Sequence, residues 1–176
     1  MSCAIPWYRE SYKPTRLEPP TPALEVRGAV RLELSYAARA PWVPNRRQFQ
    51  RWVDAAWMLQ KEPAVISIRI VGSARSRSLN RRYRGKDRAT NVLSFAGPGH
   101  LPNHEWMLGE LVICAAVVAA EARRQEKALS AHWAHMTVHG VLHLSGFDHE
   151  VAAQAAKMEF REVQILDRLG FSDPYV

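Results

Sequence analysis

Three histidines stand at positions i, i+4 and i+10 in the segment His139-Gly-Val-Leu-His143-Leu-Ser-Gly146-Phe-Asp-His149. On an α-helix, positions i and i+4 lie about 40° apart around the axis and about 6 Å along it, so His139 and His143 project from one face toward a common point. Gly146 is placed to end the helix, and a tight turn then suffices to bring His149 back to that point. Three imidazoles leave the fourth position of tetrahedral Zn2+ open to water, which is the pattern of a catalytic site, whereas structural sites are closed by four protein ligands. Iron, copper or nickel would also accept imidazole. Zinc, one ion per chain, is the default expectation. Asp148, beside two ligands, is expected to orient one of them through an outer hydrogen bond or to sit in a surface turn. For His132 and His135, on the same helix, the expectation is the ordinary one of satisfied core histidines.

The spacing is that of the metalloprotease motif H-E-x-x-H-x-x-G-x-x-H, with Gly140 where those enzymes carry the glutamate that activates the zinc water. Peptidase chemistry loses its base. A second chemical feature lies upstream, where Arg75, Arg77, Arg81, Arg82, Arg84, Lys86 and Arg88 face the single acid Asp87. Such a patch suits a polyanion, as does the net charge of +7 and pI near 9.8. A solvated helix face with a basic bias is the plainer reading of the same run.

The elements that must position these groups follow from periodicity. Ala29 to Tyr36 alternates apolar and polar residues and predicts a half-buried strand. Asn45 is placed to cap a helix running to about Gln60, with Phe49, Trp52, Val53 and Ala56 as its core stripe. Ala64 to Val71 predicts a second strand, and Ser73 a cap for a short helix to about Tyr83, ended by Gly85. A third strand is predicted from Asn91 to Phe95, then a Gly/Pro-rich loop from Gly97 to Glu105, then a fourth strand from Leu108 to Cys114. Helices are expected from Ala115 to about Ala128, from a Ser130 cap to Gly146, and from Val151 to Leu169. The fold class is therefore α+β (mixed): a small sheet of about four strands with packed helices, and a zincin-like central helix carrying the metal ligands.

With 176 residues and 47% apolar content, the chain suits one domain, expected over residues 28–176. Residues 1–27 are rich in proline (Pro6, Pro14, Pro19, Pro20, Pro22) without apolar periodicity, and a flexible N-terminal extension is expected there. Two cysteines, Cys3 and Cys114, cannot build a disulfide framework, so a reducing, cytoplasmic setting is expected with Cys114 packed as a small hydrophobe. No segment approaches the roughly 18 apolar residues of a membrane span, and no membrane partner is expected.

From about residue 30 onward the sequence resembles the YbeY family of rRNA-maturation endoribonucleases. Three blocks carry the likeness: Leu79-Asn80 with Tyr83-Arg-Gly-Lys-Asp87 and Thr90-Asn-Val-Leu-Ser-Phe95; Leu108-Gly-Glu-Leu-Val-Ile-Cys114; and His132-Trp-Ala-His with His139 to His149. The resemblance implies a cytoplasmic, metal-dependent endonuclease on single-stranded RNA, active in 16S rRNA 3′-end maturation and ribosome quality control. It implies rRNA of the small ribosomal subunit as partner, with ribosomal proteins or an assembly GTPase alongside. It also implies His139, His143 and His149 as zinc ligands and Arg84 as the functional arginine. A guanidinium offers a planar fork of donors to a phosphodiester and its developing charge. Arg75, Arg77, Arg81, Arg82, Lys86 and Arg88 would then hold flanking phosphates. The nucleophile stays open between a zinc-activated water and the ribose 2′-hydroxyl. Two competing functions are a non-catalytic, zinc-containing ribosome-assembly factor and a zinc hydrolase of another substrate.

Overall fold

A computed structural model describes residues 29–57, 63–100, 106–147 and 152–176. The extension expected over residues 1–27, and with it Cys3, lies outside the described residues, as do Asp148 and His149. The remaining chain is a four-stranded mixed sheet with five helices, as expected for an α+β chain.

Strands β1 (Val30–Tyr36), β2 (Ala64–Val71), β3 (Val92–His100) and β4 (Trp106–Cys114) run in the spatial order β1-β2-β4-β3. β1, β2 and β4 pair in parallel, and β3 closes the edge antiparallel to β4. The two central strands are buried on both faces, which is why AVISIRIV reads as a nearly continuous apolar run while the edge strand β1 alternates. Successive residues of β4 point to opposite faces. Leu111 and Ile113 accordingly join the main core with helices α1 (Arg46–Trp57), α4 (Leu129–Leu144) and α5 (Ala152–Leu169), while Val112 and Cys114 join a smaller cluster with Leu79 of α2 (Ser73–Arg84) and Val117 of α3 (Ala115–Arg124). Cys114 is fully buried, as expected of a small hydrophobe.

Helix α4 is the central one: it packs against α1, α3, α5 and both β3 and β4. Trp133, fully buried, meets Phe49 edge to face at 5.7 Å, and Phe49 meets Trp52 at 5.4 Å, so large aromatics lock α4 against α1. On its other side α4 approaches the sheet so closely that a Cβ on Gly140 would lie 2.7 Å from the Leu111 side chain. Gly140 therefore faces the sheet, and the position where metalloproteases carry their glutamate has no room for one here. Gly140→Glu, which completes an H-E-x-x-H sequence, is expected to destabilise the fold by about 3 kcal/mol or more, through overpacking and a buried unpaired carboxylate. Denaturant melting and a casein-type peptidase assay check it: stability should fall and no peptidase should appear.

Several boundaries differ from the sequence expectation for identifiable reasons. Asn45 caps α1 reciprocally, its side-chain oxygen accepting from the Gln48 amide (3.1 Å) while Gln48 accepts from the Asn45 amide (3.0 Å). Ser73 and Ser130, expected as caps, lie inside the first turns of α2 and α4, where Gly72 and Ala128 are the cap residues with no side-chain cap hydrogen bond. Partly buried Leu129 packs against the core, which draws it into the helix ahead of Ser130. Helix α3 stops at Arg124 and not near Ala128, because Glu126 turns left-handed (φ 55°) and the Lys127 amide closes back on the Ala122 carbonyl. The loop expected from Gly97 is strand as far as His100: a register shift between Ala96 and Gly99 lets pairing with β4 resume at Gly99–Met107. Pro98 is tolerated there because β3 is an edge strand.

Candidate functional site

Helix α4 carries His132, His135, His139 and His143 at i, i+3, i+7 and i+11, one stripe along its length. Their rings step along the helix with centroid separations of 6.2, 6.2 and 4.6 Å. His132 is buried, and its Nε2 lies 2.9 Å from the Glu121 carboxylate of α3. Glu121 also accepts from the Asn91 side chain at 3.1 Å. Burial would raise the Glu121 carboxyl, but these two partners hold it below the ordinary value.

Glu162 of α5 is fully buried between the next two histidines. Its Oε2 lies 3.0 Å from His135 Nε2, its Oε1 lies 2.8 Å from His139 Nδ1, and the Tyr175 hydroxyl donates to Oε2. Burial favours the neutral acid, yet the hydrogen bonds from His135, His139 and Tyr175 hold the carboxyl at about 2. An ionised carboxylate only accepts, so the ring nitrogens facing it carry protons. With Nδ1 facing the carboxylate, the atom that His139 has left to offer a metal is Nε2. His143 obeys the same logic by another route, because its Nδ1 lies 3.0 Å from the backbone carbonyl of Phe147, also a pure acceptor. That carbonyl is in place because Gly146 takes a left-handed conformation (φ 90°), turning the chain back onto the end of α4. Ligation through one imidazole nitrogen, with the other nitrogen donating to a carboxylate or carbonyl, is the usual arrangement of metal-binding histidines.

Ligand-type atoms of His135, His139 and Glu162 lie within 4.8 Å of one another, so this group could also hold a metal ion. It would do so only by giving up the hydrogen bonds that set the carboxylate. The donor set present therefore fits a transition metal in two ways, through Nε2 of His139 and His143 at the cleft, or at Glu162 within the core.

His139 and His143 line a cleft of about 570 Å³ with Arg84, Lys86 and Arg88, between α4, the edge strand β3 and the end of α2. Gly85, left-handed at φ 68°, ends α2 and begins the return. The segment from Lys86 to Thr90 is pinned to α2 by two buried polar side chains. Ser76 donates to the Thr90 carbonyl (2.9 Å) and accepts from its amide (3.0 Å), and Asn80 donates to the Arg88 carbonyl (2.8 Å). Ser76 and Asn80 thus hold the basic turn beside the histidines by hydrogen bonds to its backbone, which leave the Lys86 and Arg88 side chains out of that task.

Residues 40–170 match the family described as Endoribonuclease YbeY. The chain belongs to the YbeY family. It is 52% identical over 155 residues to the protein named Endoribonuclease YbeY from Stenotrophomonas maltophilia strain K279a, covering 85% of this chain and 96% of that one. The same figures hold for the namesake from strain R551-3. In fold, the chain is similar to the solution structure of TM1509 from Thermotoga maritima, with a TM-score of 0.52 and 19% identity over 81% of this chain and 97% of that one.

Within this YbeY-family chain the site residues expected from sequence separate into groups. Arg84, Lys86 and Arg88 share the cleft with His139 and His143. Arg75, Arg77, Arg81 and Arg82 are exposed on α2 and are not among the described residues lining that cleft. Arg77 grips Asp87 with two hydrogen bonds, Nε to Oδ1 at 2.9 Å and Nη2 to Oδ2 at 2.7 Å, so it braces the turn. That pairing lowers the Asp87 carboxyl below its ordinary value. Sequence reading missed Glu162 and Tyr175, and it missed Ser76 and Asn80 as supports. Among the described residues no helix is long and apolar enough to cross a membrane.

Proposed function

We propose that this chain is a zinc-dependent endoribonuclease of single-stranded RNA that acts in the cytoplasm on the 3′ end of 16S rRNA and in ribosome quality control. The observation that carries this reading is one cleft lined by both His139 and His143 and by Arg84. The similar proteins from Stenotrophomonas maltophilia are named endoribonucleases. In this scheme His139, His143 and His149 hold one zinc ion, the first two through Nε2. Glu162 and the Phe147 carbonyl orient their rings, and Asp148 is assigned the outer-partner role expected from its place in the sequence. When bound, the metal supplies Lewis acidity and lowers the pKa of a water or hydroxyl nucleophile. Arg84 forks onto the scissile phosphodiester, and Lys86 and Arg88 hold its neighbours. The more distant Arg75, Arg81 and Arg82 guide the strand. Ribosomal proteins or an assembly GTPase bring the enzyme to its substrate.

The test is incubation of metal-loaded protein with an unstructured RNA, the matched DNA and a denatured protein. Cutting of RNA alone is expected. Intact RNA would leave a zinc-containing assembly factor, and a cut protein would make this a hydrolase of another class.

Binding should also depend on salt. RNA held through phosphates releases counterions, so log affinity falls linearly with log salt, with a slope of roughly 0.7 per phosphate contact on a single strand. The double variant Lys86→Ala, Arg88→Ala should reduce that slope by about 1.4, measured by fluorescence anisotropy in a salt series. An affinity that does not change with salt would return the basic run to a solvated face.

A further inference from the structure

The Glu162 carboxylate is held from three directions, and one of them is the tail beyond the last helix. After Leu169 the tail folds back on the protein: the Phe171 amide donates to the Leu166 carbonyl (2.9 Å), and the Phe171 ring meets Trp52 at 6.5 Å. Lys127 donates to the Pro174 carbonyl, and the Tyr175 amide donates to the Asp173 side chain (2.8 Å). These anchors place the Tyr175 ring 5.6 Å from that of His135, edge to face, with its hydroxyl on Glu162 Oε2. Burial and the adjacent carboxylate push the phenol above its ordinary pKa, so it stays a donor.

The two carboxylate oxygens have separate tasks. Oε2 takes the Tyr175 hydroxyl and the His135 Nε2–H, while Oε1 takes the Nδ1–H of His139. The terminal torsion of a glutamate is broad and two-fold, and without Tyr175 the His135 ring would be the single donor left on Oε2. Two donors on one oxygen fix the plane, and the other oxygen then has one place to meet His139. We propose that Tyr175 is a positioning residue for the metal ligand His139, acting through Glu162, so that the carboxyl-terminal tail sets the ring orientation and tautomer of that ligand. The inference rests on the reading of His139 as a ligand.

The variant Tyr175→Phe keeps the ring against His135 and removes the hydroxyl alone. Loss of an outer partner of a metal-bound histidine costs roughly 10–100-fold in metal affinity; the outer partner here is Glu162, and Tyr175 acts one hydrogen bond further out, so the low end of that range applies. We expect Tyr175→Phe to bind zinc about 10-fold more weakly in competition with a chromophoric chelator, with the metal-free protein still folded and melting a few degrees below wild type for the loss of one charge-assisted hydrogen bond. Nitrogen-15 shifts of the His139 ring in the metal-free protein give a second readout. The wild type should show the Nδ1–H tautomer, and Tyr175→Phe a mixture of tautomers. His139→Ala, run in parallel, separates the two readings. If Tyr175→Phe keeps wild-type zinc affinity and His139 stays in one tautomer while His139→Ala loses the metal, the positioning role is wrong and the ligand stands. If His139→Ala also keeps the metal, the ligand reading falls as well.

Discussion

His143→Ala is expected to leave a folded protein that has lost its transition metal. The wild-type chain should hold about one ion, since three imidazoles suffice for a site with one open position. Apparent binding energies of structural zinc run to roughly 10–16 kcal/mol, so each ligand of a site of this kind carries several kcal/mol, and losing one should weaken binding by well over 100-fold. The fold should tolerate the change. His143 lies in the last turn of α4, only partly buried, and alanine is the best helix former. The core face of that helix, Trp133, Val138 and Val141, is untouched. Elemental analysis of wild type, His143→Ala and His135→Ala decides between the two places a metal could sit. With the ion at the cleft, His143→Ala is empty and His135→Ala keeps most of its metal. With the ion among His135, His139 and Glu162, the order reverses. A His143→Ala variant with unchanged metal content would remove His143 from the ligand set.

The part of this site that was legible in the sequence is the part built by local geometry. His139 and His143 share one helix, so a four-residue spacing fixes their common face, and Gly146 fixes the turn after it. The Asn45 cap was legible for the same reason, because its partner Gln48 is three residues away. Glu162 was not, since it stands 23 residues from His139 and reaches it only when α5 packs on α4. A glutamate on an otherwise amphipathic helix reads as a surface residue until the neighbouring helix is placed. Tyr175, a further 13 residues on, depends on a tail whose path is set by Phe171 and Pro174 contacts that no periodicity encodes. The basic run shows the converse limit: composition found the charge, but only the packing of α2 on the sheet divides Arg84, Lys86 and Arg88 in the cleft from the arginines outside it.

Arg84→Ala should separate chemistry from metal binding. Arg84 closes α2 immediately before Gly85, on the lip of the cleft that His139 and His143 line. The structural alternative is that Arg84 merely pairs with Asp87 to hold this turn. Arg77 already occupies both oxygens of Asp87, so that task is taken, and among the described residues no carboxylate pairs with Arg84. Removing an exposed side chain of that kind should change stability by no more than about 0.5 kcal/mol. Removing a preorganised donor aimed at developing charge costs on the order of 10²-fold or more in rate. Arg84→Ala is therefore expected to melt like wild type and to hold the same metal, yet to cleave about 100-fold more slowly. Arg84→Lys should recover only part of the rate, because an ammonium restores the charge without the planar fork that engages two phosphate oxygens. Arg75→Ala, which removes an exposed arginine outside the cleft, should cost no more than a few-fold. The measurement is single-turnover cleavage of a short single-stranded RNA at saturating enzyme, with a melting curve and metal analysis on the same samples. If Arg84→Ala cuts within a few-fold of wild type, the arginine has no part in the chemistry and the metal site acts without it.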